Sequence, residues 1–281
     1  MKESTRLIHK YLRHDKKFPH VWCPGCGIGI VLGALIRAID RIGLEKDEVV
    51  LISGIGCSGR LPVYVDFNTL HTTHGRALTF ATGVKLANPK LKVIVVMGDG
   101  DAVAIGGNHF IHAARRNIDL TAIIINNTVY GMTGGQTSPT TPYGTKTTTA
   151  VYENVEHAFQ ISELAITAGA VFVGRGTVYH AELLDRLIQK AILKEGFGVV
   201  EVMSHCHVQY GKLNRLGSAV DMMRMQKENT VSVENARKMA PKDLEGKIVI
   251  GVLVDKKLPV YQEEYQKVRA RAKGMVLAED T

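Results

Sequence analysis

Four cysteines, a pair of glycine-flanked aspartates and an asparagine pair are the residues in this 281-residue chain whose types and spacing could do chemistry. Cys23-Pro24-Gly25-Cys26 has the two-residue spacing that lets one loop grip one metal centre from two sides. Cys57 and Cys206 stand singly further along. Four thiolates are the number that closes one tetrahedral ion or one cluster site. On spacing alone, structural zinc and an iron–sulfur cluster are served equally well. A redox pair at Cys23 and Cys26 would leave Cys57 and Cys206 idle, and those two could also be unrelated buried thiols. Disulfides are not expected in a chain of this length that carries no secretory leader.

Gly98-Asp99-Gly100-Asp101 suits a different task. Glycines let the backbone approach a diphosphate closely, and Asp99 offers a hard oxygen to Mg²⁺. Such a turn is common by itself. Here 25 residues separate Gly100 from Asn126-Asn127, room for one helix and one returning strand. The two loops can then meet at one ion. The Asp99 carboxylate, the Asn127 side-chain oxygen, a backbone carbonyl near Val129 and two diphosphate oxygens would nearly complete an octahedral shell.

These residues need elements to carry them. Apolar periodicity predicts helices over Ile28–Ile42, His74–Ala87, Ala104–Arg116, Glu153–Thr167 and Ala181–Leu193, with buried strands at Val49–Ser53, Leu91–Met97, Leu120–Asn126, Val171–Val173 and Gly198–Met203. A Gly/Thr/Pro-rich loop fills Gly131–Thr149. The alternation predicts an α/β fold, a doubly wound parallel sheet with helices on both faces. Beyond Tyr210 the pattern weakens, with a further strand at Ile248–Val254 and a helix at Tyr261–Ala272. The expected organisation is an N-terminal arm over residues 1–20, a central domain over 21–210 and a C-terminal arm over 211–281 that wraps this domain or a partner. In an open parallel sheet, ligands collect outside the carboxyl ends of the strands. The segments beginning at Gly54, Gly98, Asn126 and Ser204 each follow a strand, so they should converge on one crevice.

Taken in order, Cys-Pro-Gly-Cys-Gly, Gly-Ile-Gly-Cys-Ser, Thr-His-Gly-Arg-Ala, Ala-Thr-Gly-Val-Lys, Gly-Asp-Gly-Asp and Tyr-Gly-Met-Thr-Gly-Gly-Gln resemble the beta subunit of 2-oxoacid:ferredoxin oxidoreductases, from about Trp22 to Lys212. The resemblance implies a thiamine-diphosphate-binding fold of the pyrophosphate type. It implies that Cys23, Cys26, Cys57 and Cys206 hold one [4Fe–4S] cluster, which weighs against zinc. It also implies that Asp99, Asn127 and the Val129 carbonyl hold Mg²⁺ on thiamine diphosphate. Ile55, Gly56, Cys57, Ser58, His74, Gly98, Gly100, Asp101, Gly131 and Met132 complete the expected cofactor set. The implied reaction is oxidative decarboxylation of a 2-oxoacid with coenzyme A, passing electrons to ferredoxin. The overall pattern is most similar to the 2-oxoglutarate enzymes, with pyruvate the alternative substrate. No residue here stands out as the carboxylate that activates the thiamine aminopyrimidine. The resemblance puts it on an alpha subunit, in an (αβ)₂ assembly, so the single chain is expected to be catalytically silent.

On the substrate side the candidates are Arg60, His71 and His74. Arg60 could hold a substrate carboxylate in bidentate fashion. His71 and His74, three apart near the start of a predicted helix, could share a face.

Composition limits the alternatives. No apolar run reaches the roughly 18–20 residues of a membrane span, and the charged N-terminus has no leader-like apolar segment, so a cytoplasmic location is expected. The net charge of +8 is spread without a basic stripe, which argues against nucleic acid and is compatible with an acidic partner or anionic substrates. Two other functions remain open at this level. A non-redox thiamine lyase with structural zinc would be colourless. A cluster-bearing electron-transfer module without catalysis would not bind thiamine diphosphate.

Overall fold

The computed structural model describes residues 3–15 and 18–274; the remaining residues of the two expected arms lie outside the described ones. Among the described residues the strands are β1 Val49–Ser53, β2 Asn68–His71, β3 Lys92–Gly98, β4 Leu120–Asn126, β5 Val129–Tyr130, β6 Gln136–Thr137, β7 Phe172–Thr177, β8 Phe197–Met203, β9 Thr230–Ser232 and β10 Ile248–Asp255. The α-helices are α1 Glu3–Tyr11, α2 Ile28–Ile42, α3 Ala77–Ala87, α4 Asp99–Val103, α5 Gly107–Arg115, α6 Ile161–Ala168, α7 Ala181–Leu193, α8 Ala219–Glu228, α9 Val233–Ala236 and α10 Tyr261–Ala272.

Eight strands form one sheet in the order β2-β1-β3-β4-β8-β7-β10-β9, and β5 pairs with β6 in a separate hairpin. Every pair from β2 to β7 is parallel; β10 joins β7 antiparallel and β9 lies parallel to β10. Successive side chains of a strand point to opposite faces, and both faces here are apolar. Val49, Leu51, Ile94, Val96, Ile123 and Ile125 pack under α1, α2 and α7. Val50, Ile52, Val93, Val95, Ala122 and Ile124 pack under α3, α5 and α6. The strands therefore read as continuous hydrophobic runs, as doubly covered parallel strands must.

The helix α2 starts directly after the Cys23–Cys26 loop and ends at Gly43, whose left-handed φ of 79° lets its N–H close on the Ile39 and Asp40 carbonyls. It is fixed across the core by Arg37, which donates to both oxygens of the buried Asp185 on α7, at 2.7 and 2.8 Å.

Several elements differ from the sequence expectation. The helix expected from His74 begins at Ala77, which leaves His74 in a turn and His71 at the end of β2. The two histidines therefore share no helix face. The helix expected from Ala104 begins at Gly107 as α5, after a turn through Gly106, and the short α4 ahead of it, Asp99–Val103, was not expected. The helix expected from Glu153 begins only at Ile161. Residues 3–11, expected as a polar arm, form a helix that buries Leu7 and Tyr11 against the core. Within residues 211–274, β10 adds a strand to the main sheet.

Candidate active site

The sheet order fixes where a crevice must open. From β1 the chain moves to β2 on one side, and from β3 it moves to β4 on the other, so the loops leaving β1 and β3 diverge. A ligand crevice belongs at the carboxyl ends of the strands at this reversal. One cavity lies there, and all thirteen residues expected to contact cofactor line it: Ile55, Gly56, Cys57, Ser58, His74, Gly98, Asp99, Gly100, Asp101, Asn127, Val129, Gly131 and Met132. Tyr130 lines it as well, a residue the sequence reading did not single out. Its ring lies over Gly100 so closely that a Cβ there would sit 2.1 Å from a ring carbon, so any side chain at position 100 would push the ring aside.

Asp99 opens α4 and is 3% exposed. The Ser138 hydroxyl donates to its Oδ2 at 2.6 Å, and the Thr140 hydroxyl makes a second short bond to the same atom. Burial raises the Asp99 pKa above the usual carboxylate value, and the two hydroxyls only partly oppose this. A buried, hydroxyl-supported carboxylate beside a cavity suits a hard divalent cation, which would offset the cost of its charge.

On the facing strand end, Thr128 has a φ of 65°, an uncommon left-handed conformation for a β-branched residue. Three hydrogen bonds hold it there. Its N–H donates to Asn126 Oδ1 at 3.3 Å, its hydroxyl donates to the Asn127 carbonyl at 2.7 Å, and its carbonyl accepts from the Thr141 hydroxyl. The turn presents Asn127 and Val129 to the cavity that Asp99 lines. Below it, Asn126 Nδ2 donates to the buried Glu201 at 3.0 Å. Ser162 and Arg175 also donate to Glu201, the latter at 2.9 Å.

His74 is oriented by Asp101. The carboxylate Oδ1 accepts from the His74 Nδ1–H at 2.6 Å and from the Gly75 N–H at 2.6 Å. In a neutral ring this tautomer presents Nε2 as the acceptor. Among the described residues, the second oxygen of Asp101 is buried with no partner at hydrogen-bond distance. Burial raises the Asp101 pKa, opposed by Gly75 and His74. His71 instead donates from Nδ1 to Ser53 Oγ at 2.9 Å, since that hydroxyl is itself donated to the Gly59 carbonyl. Its contact is structural. Arg60 is exposed in the turn after Cys57 and lines neither this cavity nor the one holding the thiols; the structure of this chain does not bring it to the cleft.

All four cysteines line a second cavity, with Trp22, Ile28, Asn127, Gly131, Met132 and residues 205 and 207–209. Trp22 ties two cysteine segments together by donating its indole N–H to the Cys57 carbonyl at 2.7 Å. His205 ties two others by donating Nε2–H to the Gly25 carbonyl at 2.9 Å. A Cβ built on Gly131 would meet Cys206 Sγ at 3.4 Å and Cys57 Sγ at 3.9 Å, so this glycine leaves open the space between the two thiols. The thiols surround a volume instead of closing on one point: among the described residues, no group of three or more His, Cys, Asp or Glu is spaced to hold a single ion. Burial pushes the Cys26 thiol up to about 11, with the neighbouring thiols adding to the rise, and burial raises Cys57 too. Loading a metal centre must therefore displace protons. The two cavities share a wall, since Ile28, Cys57, Asn127, Gly131 and Met132 line both.

The profile of the thiamine pyrophosphate enzyme C-terminal TPP binding domain matches residues 54–202. A 2-oxoglutarate synthase subunit KorB of Methanocaldococcus jannaschii is 48% identical over 265 residues, covering 94% of this chain and 98% of its own. A 2-oxoacid:ferredoxin oxidoreductase subunit beta of Saccharolobus solfataricus is 49% identical over 187 residues, 66% of this chain and 61% of its own. Among solved structures, the 2-oxoglutarate:ferredoxin oxidoreductase from Magnetococcus marinus, with 2-oxoglutarate, coenzyme A and succinyl-CoA bound, superposes with a TM-score of 0.84 at 31% identity, covering 97% of this chain and 92% of that one. No helix among the described residues is long and apolar enough to cross a membrane. With its switch-point cavity and cysteine cavity side by side in a thiamine-binding fold, this chain belongs to the family of 2-oxoacid:ferredoxin oxidoreductase beta subunits of the 2-oxoglutarate synthase type.

Proposed function

We propose that this chain is the subunit that binds thiamine diphosphate, Mg²⁺ and one [4Fe–4S] cluster in a cytoplasmic (αβ)₂ enzyme. The enzyme converts 2-oxoglutarate and coenzyme A to succinyl-CoA and CO₂. The substrate loses two electrons, and two ferredoxins each accept one. The observation that carries this reading is the wall common to the two cavities, lined by Cys57 and Gly131. Electrons released in one cavity have only that wall to cross.

When bound, thiamine diphosphate supplies stabilisation of the carbanion left by CO₂ loss, and the cluster accepts electrons singly. The chain's own residues hold and orient these groups. Asp99, Asn127 and the Val129 carbonyl would hold Mg²⁺ against the diphosphate. Gly98 and Gly100 would let the backbone approach it. His74, with its tautomer fixed by Asp101, would offer Nε2 to a proton at the reacting end. Cys23, Cys26, Cys57 and Cys206 would hold the cluster. The alpha subunit would supply the activating carboxylate and the remaining half of the site.

The test is anaerobic purification with the co-purifying partner, metal analysis, and EPR after adding 2-oxoglutarate with thiamine diphosphate. Iron at about four per chain and a substrate-dependent paramagnetic signal are the expected results. Zinc in place of iron would overturn the redox reading. Iron with a signal from pyruvate but not from 2-oxoglutarate would change the substrate.

A further inference from the structure

A diphosphate brings negative charge to a cavity that offers it no cationic chain. Among the described residues lining the switch-point cavity there is no lysine and no arginine, and two of them, Asp99 and Asp101, are carboxylates. Mg²⁺ would offset part of the charge. The remaining phosphate oxygens need neutral donors, because an anion taken out of water without hydrogen bonds is costly.

Two hydroxyls stand at the Gly98-Asp99-Gly100 turn. A Cβ built on Gly98 would lie 3.1 Å from Ser58 Oγ, and one built on Gly100 would lie 2.7 Å from the Tyr130 phenolic oxygen. Both residues line the cavity. Among the described residues, neither hydroxyl has a hydrogen-bond partner. Ser58 belongs to the expected cofactor set, and Tyr130 stands outside it.

The phenol is held in place before any ligand arrives. The hairpin pairs Tyr130 with Gln136, and Gly135 N–H donates to the Tyr130 carbonyl at 2.9 Å. The ring packs over Gly100 and meets His74 edge to face, with centroids 6.2 Å apart and planes at 80°. Phenylalanine would make the same ring contacts, so packing accounts for the ring and leaves the hydroxyl unexplained. A tyrosine that is partly buried ordinarily places its O–H on a partner. Here the hydroxyl belongs to a cavity-lining residue, and a phenol keeps its proton near neutral pH. It is a donor already fixed in position, so little ordering is lost when an anion binds.

We propose that Tyr130 is a cofactor-binding residue that donates its phenolic O–H to a diphosphate oxygen at the Gly98-Asp99-Gly100 turn. The inference rests on the reading that this cavity takes Mg²⁺–thiamine diphosphate. Hydrogen bonds to a charged acceptor are the strong ones, so the loss of this one should be measurable.

The experiment compares the assembled enzyme with its Tyr130→Phe variant, both stripped of cofactor. Calorimetry uses two probes: Mg²⁺–thiamine diphosphate, and inorganic diphosphate with Mg²⁺, which carries the anion alone. The variant should bind each about tenfold more weakly, because the bond removed is to the part they share. With saturating cofactor, kcat and the KM for 2-oxoglutarate should match the parent's. Parent-like affinity for both probes would overturn the proposal. A raised KM for 2-oxoglutarate with unchanged cofactor affinity would also overturn it, by placing the hydroxyl on a substrate carboxylate. A lowered kcat with unchanged affinity would do the same, by placing it at the reacting end beside His74. A parent enzyme that binds neither probe would refute the cofactor reading itself, and the proposal with it, before the variant is compared.

Discussion

Gly131 shows how much one position can decide. Its φ is not in the left-handed region, so the backbone does not demand glycine. The space does: a Cβ would enter the gap between Cys206 Sγ and Cys57 Sγ, 3.4 and 3.9 Å away. Those are ordinary contacts for the metal-free chain, so Gly131→Ala should fold with a stability within about 0.5 kcal/mol of the parent. Its iron content after anaerobic reconstitution should nevertheless drop well below the parent's, because the methyl group occupies volume the cluster needs. Full iron occupancy in the alanine variant would show that the thiols do not share this gap. The cysteines and the Asp99–Asn127 pair were legible in the sequence because their chemistry is rare and their spacing informative. Ser138 and Thr140 were not, although both hold Asp99. They are ordinary residues in a Thr-rich loop, 39 and 41 positions from their partner, and nothing local marks them. Arg60, singled out for its charge, lines neither cavity of this chain, and the turn after Cys57 leaves it exposed.

Among the elements, the buried central strands and the long amphipathic helices were readable. Val49–Ser53, Leu120–Asn126, Ile28–Ile42 and Ala181–Leu193 have the bounds that their apolar patterns predict. The edge strand β2, Asn-Thr-Leu-His, was not, because it is only half-buried and lacks an apolar run. The stretch before α6 has a helix-like apolar pattern, but its shape is set by Asn154, whose Nδ2 donates to the carbonyls of Thr141, Pro142 and Glu156. Side-chain-to-backbone bonds of this kind leave no periodicity to detect. Another tie of this class joins elements at the site. Glu201 on β8 accepts from Asn126 on β4, Ser162 on α6 and Arg175 on β7, and Asn126 in turn holds the left-handed Thr128. Glu201→Ala would leave Asn126 and Ser162 buried without this acceptor, and Arg175 with only the more exposed Glu163 at 3.6 Å. The expected loss is about 3–5 kcal/mol in denaturant unfolding. Affinity for Mg²⁺–thiamine diphosphate should also weaken, although residue 201 lies outside the cavity lining, because the Asn127–Val129 turn loses its anchor. Destabilisation with unchanged cofactor affinity would show that the turn stands without this network.

At the scale of the whole molecule, the site and the fold are linked through protons. Asp99 has its pKa raised above 3.8 by burial in the cofactor-free chain. Relative to the unfolded chain, that group favours folding below pH 3.8, and its contribution is lost as pH rises through the raised value. Near neutral pH the empty protein thus bears the cost of a buried carboxylate, which a cation can offset. The sign for binding is opposite. Mg²⁺ needs the ionised form, so protonated Asp99 must release its proton, and affinity should rise with pH until the raised pKa is passed and then level off. Below that point the slope should approach about tenfold in Kd per pH unit for one proton. Calorimetry of Mg²⁺–thiamine diphosphate binding to the stripped complex, in two buffers of different ionisation enthalpy, would count the protons released. The diphosphate titrates in the same region, so the informative quantity is the difference between the parent and Asp99→Asn. That variant should bind more weakly and release fewer protons below the pKa of Asp99. Equal proton release from both proteins, across the acid limb, would mean that Asp99 is already ionised when the cofactor arrives and that its burial does not regulate loading.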